Sequence, residues 1–170
     1  MENSAQIDLK VEIETFLLLS HLDSEYNYKH DEKCPNYETL TDICDFVEEQ
    51  HPFDNIVSSW NINYENLQED MNTILNEVAP NKAEITYGRF WTIMTFTRYV
   101  WMKTVRNHVC MDYDNLRDML SNCVDQYLSE WVIENGGLTM ICRNTSNKPA
   151  INFLCKFLDL LFNPSFNVIF

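Results

Sequence analysis

The stretch from Phe90 to Met102 carries nine apolar side chains in thirteen residues, and as a helix it would keep almost no polar face. A helix that is apolar all round is stable only where other elements cover it, so this segment predicts a central helix inside a bundle. Thr92, Thr95, Thr97 and Arg98 interrupt it, and it falls short of the roughly 20 mostly apolar residues that a membrane span requires.

The flanking sequence supplies the cover. Ile7, Val11, Ile13, Phe16, Leu17, Leu18 and Leu19 predict a first helix, with Glu12 and Glu14 assigned to its solvated side. The polar, charge-rich stretch 23–36 ends in Cys34-Pro35-Asn36 and predicts a flexible loop that buries little. Leu40, Ile43, Cys44 and Val47 recur at helical steps until His51-Pro52, where Phe53, Ile56, Val57 and Trp60 begin a shorter apolar group, so two helices are expected to meet at Pro52. Asn63 is a plausible cap for a helix carrying Leu67, Met71, Ile74, Leu75 and Val78, which Pro80-Asn81 ends.

Beyond the central segment, Leu116, Met119, Leu120, Cys123, Val124, Tyr127 and Leu128 mark an amphipathic helix over 112–130. Trp131 and Gly136-Gly137 then turn the chain into a short helix. Pro149 suits the first turn of a last helix with Ile151, Phe153, Leu154, Phe157, Leu158, Leu160, Leu161 and Phe162. Three glycines and five prolines in 170 residues, clustered at these boundaries, disfavour a sandwich or barrel. The expected architecture is all-α, about eight helices in a single domain over 1–170.

A net charge of −14, without a stripe of Lys or Arg, excludes nucleic acid as a partner class. Six cysteines without a C-x-x-C pair, and an amino terminus without a basic-plus-apolar leader, fit a reduced intracellular setting in which no disulfide is needed. Asn144-Thr145-Ser146 matches a glycosylation acceptor and is expected to be a polar loop. The four histidines fall in unrelated surroundings, with no nucleophile and base pair and no metal-ligand spacing, so no enzyme, cofactor or metal is expected.

Two strings carry more information. Glu84-Ile85-Thr86-Tyr87-Gly88-Arg89-Phe90-Trp91 and Trp131-Val132-Ile133-Glu134-Asn135-Gly136-Gly137-Leu138 resemble the first and second homology motifs of the Bcl-2 family of cell-death regulators. The first keeps Gly88 and Arg89 but has Tyr87 for tryptophan and Thr86 for asparagine; the second keeps Trp131, Asn135, Gly136 and Gly137. The third motif is matched more weakly by Leu40 to Val47.

The resemblance implies a Bcl-2-like bundle that grips the amphipathic death-ligand helix of pro-apoptotic relatives in a hydrophobic groove. Arg89 would pair with the ligand's aspartate, with Thr86, Tyr87 and Gly88 beside it. Val47, Phe53, Ile56, Val57, Ile74, Glu77, Val78, Phe90, Trp91 and Phe96 would complete the contact set, while Trp131, Asn135, Gly136 and Gly137 would hold the groove wall as a structural corner. From spacing alone, the alternative for Arg89 is an ordinary surface arginine paired with Asp45 or Glu84 and without a ligand role. The short hydroxyl of Thr86 would narrow the choice of partner.

The resemblance favours a survival-promoting member of viral type, cytoplasmic and associated with the mitochondrial outer membrane. The alternatives are a pro-apoptotic, membrane-permeabilising member and an adaptor that uses the same fold in another pathway. Peripheral membrane contact and homodimerisation are both compatible with the residues.

Overall fold

The computed structural model describes residues 8–23, 32–50, 52–56, 62–81, 85–107 and 112–145. Among them there are seven α-helices and no strand: α1 (Leu9–Asp23), α2 (Tyr37–Gln50), α3 (Phe53–Ile56), α4 (Leu67–Val78), α5 (Tyr87–Arg106), α6 (Tyr113–Glu134) and α7 (Leu138–Thr145). A 3₁₀ turn, Tyr64–Asn66, leads into α4, and the Asn63 side chain caps it by accepting the Glu65 N–H. The helix expected after Pro149 lies outside the described residues, as does most of the loop expected over 23–36.

Helix α5 is the central helix that its composition requires. It packs against α1, α2, α4 and α6, and Phe90, Trp91, Ile93, Met94, Val100 and Trp101 are all buried. Its threonines are buried too. Thr92 and Thr97 donate their hydroxyls to the carbonyls of Gly88 and Ile93 at 2.8 and 2.7 Å, so for these two of the four threonines the helix supplies the partner itself.

At Pro52 the chain turns from α2 into α3, and the Glu48 carboxylate accepts the otherwise orphaned N–H of Phe53 at 3.2 Å. Helix α6 starts on an Asp112 cap whose carboxylate accepts the Asn115 N–H at 3.0 Å. It continues through Trp131 to Glu134, one turn beyond the end its apolar pattern suggests, because the residues that stop it are the glycines and not the tryptophan.

Two expectations are corrected in α1 and in the segment before α2. Glu12 is not on the solvated side; it is 5% exposed, and its carboxylate accepts the Asn36 amide at 3.2 Å. Cys34 and Asn36 are buried, so the end of the expected loop belongs to the core. Asn36 also donates to the Thr139 hydroxyl at 3.1 Å, which ties this segment to α7. The exposed side of α1 instead carries Val11 and Leu18.

Candidate functional site

The start of α5 is fixed by Thr86. Its backbone is extended, and its hydroxyl accepts the Arg89 N–H at 3.2 Å. Thr86 is thus the helix cap, a role an asparagine at this position fills equally well. Tyr87 lies half-buried, its ring edge-on to Trp131 at 5.3 Å, and its hydroxyl accepts the Asn144 amide at 3.1 Å. Gly88 is buried and Arg89 is of intermediate exposure. Asp45 is engaged by Arg98 at 2.6 Å, and Glu84 lies outside the described residues.

Phe90 and Trp91 point into the core. Phe90 stacks on Trp131 with centroids 5.4 Å apart and meets Trp91 edge-on at 5.0 Å. The Trp91 indole N–H donates to the Thr145 hydroxyl at 2.9 Å, and that hydroxyl donates to the Ile141 carbonyl at 2.8 Å. All three aromatics of the first motif, Tyr87, Phe90 and Trp91, therefore serve to seat α5 against α6 and α7.

The other expected contact residues fall elsewhere. Phe53 meets Phe96 edge-on at 5.3 Å, joining α3 to α5, and both are buried. Val47 and Ile74 are buried, Val78 is partly buried and Glu77 is exposed. The side chain of Ile56 and the whole of Val57 lie outside what is described. Cavities of ≈ 800 Å³ and ≈ 400 Å³ open among the described residues, and none of the expected ligand-contact residues lines either of these.

The corner between α6 and α7 explains its own sequence. Gly136 and Gly137 have φ of 85° and 89°, in the region that side chains avoid. The Gly137 N–H reaches back to the Val132 carbonyl at 2.8 Å and the Gly136 N–H to the Ile133 carbonyl at 3.1 Å, which is the Schellman pattern of helix termination. The Asn135 amide donates to the Trp131 carbonyl at 2.8 Å, occupying another acceptor of the last turn.

Burial pushes the Cys44 thiol up to about 11 and the Cys142 thiol up to about 12, so neither supplies a thiolate near neutral pH. No group of three or more His, Cys, Asp or Glu residues that could hold a metal occurs among the described residues.

The family model for apoptosis regulator proteins of the Bcl-2 family matches residues 40–137, more than half of the chain. The chain belongs to the Bcl-2 family. The matched span runs from the start of the weak third motif through Gly88-Arg89 to Gly137, so it includes both ends of the Phe90–Trp131 contact. The protein is accordingly an apoptosis regulator in the general sense that membership carries, and its relatives within the family are its expected protein partners. No curated protein matches the chain. No helix among the described residues is long and apolar enough to cross a membrane.

Of the features that matter here, the Thr86 cap had a legible signal, a threonine just before an apolar helical run. The Tyr87–Asn144 and Trp91–Thr145 bonds had none, because they join residues 57 and 54 positions apart.

Proposed function

We propose that this Bcl-2 family member promotes survival by sequestering pro-apoptotic relatives, receiving their amphipathic death-ligand helix in a hydrophobic groove beside the start of α5. The placement of Arg89 carries the proposal. Thr86 pins its amide, its neighbours Gly88 and Phe90 are buried, and its own side chain keeps partial access to solvent. A guanidinium held on a capped first turn loses little freedom when a ligand carboxylate docks against it. In this reading Thr86, Tyr87 and Gly88 lie beside the ligand, while Glu77 and Val78 border the groove from α4. The protein acts in the cytoplasm and at the mitochondrial outer membrane.

Calorimetry of the full chain with synthetic death-ligand helices tests this. Arg89→Ala should cost about 1.5–3 kcal/mol of binding, the range for a charged hydrogen bond, with the circular-dichroism helix signal unchanged. Binding that Arg89→Ala does not weaken, or no binding to any such helix, would remove the basis of the proposal. Expression in cells then separates guardian from killer: the proposal requires fewer deaths, and more deaths would reverse the assignment.

A further inference from the structure

The larger cavity lies away from α5. It measures ≈ 800 Å³ and is walled by the first turn of α1, Pro35, the last turns of α6 and the start of α7. Its charged lining consists of carboxylates alone, Asp8, Glu12 and Asp125, and no lysine, arginine or histidine lines it. Its rim holds Ile133 and Met140, which at 63% and 38% exposure are the two most exposed large apolar residues among those described.

The acidic side chains are under-compensated. Glu12 is about nineteen-twentieths buried and faces the cavity, yet its partner is the neutral amide of Asn36. The neighbouring cation, Lys10, is held by Asp118 at 2.8 Å and Glu14 at 3.6 Å. Loss of hydration raises both the Glu12 and the Asp125 carboxyls, and the charge of Asp8 raises Asp125 further against a smaller opposing effect of Lys10. A buried carboxylate without a cation is costly, and a cationic group entering the cavity would relieve that cost. Ile133 and Met140 would at the same time gain cover from any apolar side chain next to that cation.

We propose that this cavity is a second docking site, separate from the groove, for a partner-protein segment that presents a lysine or arginine beside an apolar side chain. The basic group enters between Glu12 and Asp125, and the apolar neighbour lies over Ile133 and Met140. Charge complementarity selects this class of partner: a strongly acidic chain repels acidic segments at any face, and this face joins that charge to exposed apolar surface. Because the site shares no lining residue with α5, it stands or falls independently of the role of Arg89.

The test is amide-resolved NMR of the full chain, titrated with a synthetic amphipathic helix whose leucine stripe is flanked by lysines, and with a counterpart carrying glutamate in place of those lysines. The expected result is that the lysine peptide shifts the amides of Glu12, Ile133 and Met140, that raised salt weakens it, and that the glutamate peptide leaves those amides unmoved. Asp125→Asn and Ile133→Ser, at positions that are half-exposed and exposed, should each weaken binding about fivefold or more with the helix signal retained, and Arg89→Ala should leave it unchanged. Shifts confined to α4 and the start of α5, equal response to both peptides, or no shift at about 1 mM peptide would each overturn the proposal.

Discussion

The indole of Trp131 lies against the ring of Phe90, with centroids 5.4 Å apart and planes inclined by 29°. Tyr87 closes on the same indole from its edge at 5.3 Å. One side chain of α6 thereby orients the first turn of α5, and Arg89, between Tyr87 and Phe90, inherits its position from that packing. The two sequence motifs of the family are thus a single packing unit in this chain.

Removing the indole should expose how much that unit contributes. Trp131→Ala is expected to cost about 3–5 kcal/mol, the usual range for truncating a buried aromatic, a large part of the total stability of a domain. Urea denaturation of both single variants and the pair with Phe90→Ala would isolate the stacking as a coupling of about 0.5–1.5 kcal/mol. Strict additivity would mean that the two rings touch without mutual stabilisation.

Thr86 tests the same region from the backbone side. Its hydroxyl is the acceptor for the Arg89 N–H at 3.2 Å, so Thr86→Ala should lose about 1 kcal/mol and fray the first turn of α5. Thr86→Asn, which restores a capping side chain, should stay within a few tenths of a kcal/mol of the parent. Equal stability of all three in denaturant melts would show that the cap contributes nothing.

At the α6–α7 corner the expected cost comes from torsion and crowding together. Gly136 holds φ at 85°, and an added Cβ would lie 3.1 Å from the Met140 Cγ. Gly136→Ala should therefore destabilise by about 1–2 kcal/mol, and Gly136→Asn by less, because asparagine tolerates the left-handed region better. Thermal melts rank the two variants; an order in which alanine is the milder change contradicts the torsional cause.

The helices were legible because each repeats its apolar residues every three or four positions, and α5 was legible as the central helix because it has no polar face. That same uniformity hid its orientation. With apolar residues all round, the sequence cannot tell which side of α5 meets α6, so Phe90 and Trp91 read as groove contacts although they seat α5 against Trp131 and Thr145. Glu12 was misplaced for a related reason: a helical pattern assigns a charge to solvent, while the partner that helps to bury it, Asn36, comes from 24 residues away. The torsion at the corner glycines was legible because a positive φ is a local demand that the residue type itself reveals. Position in the family pattern named Arg89, and no periodicity could have done so.

Glu12 also makes stability depend on pH in a direction opposite to that of a salt-bridged carboxylate. Burial holds its folded carboxyl above the ordinary value of 4.5, and the Asn36 hydrogen bond offsets only part of that rise. The folded state then binds the proton more tightly than the unfolded chain does, so the contribution of Glu12 is most favourable below its unfolded value and is lost as pH rises through its folded value. Glu12→Gln keeps an acceptor for Asn36 and removes the titration. Urea melts at a series of pH values from about 4 to about 7 should show the variant gaining on the parent as pH increases. If the difference between them stays flat across that series, or the parent gains instead, then the carboxylate is hydrated or paired in solution and its burial is not what sets its protonation.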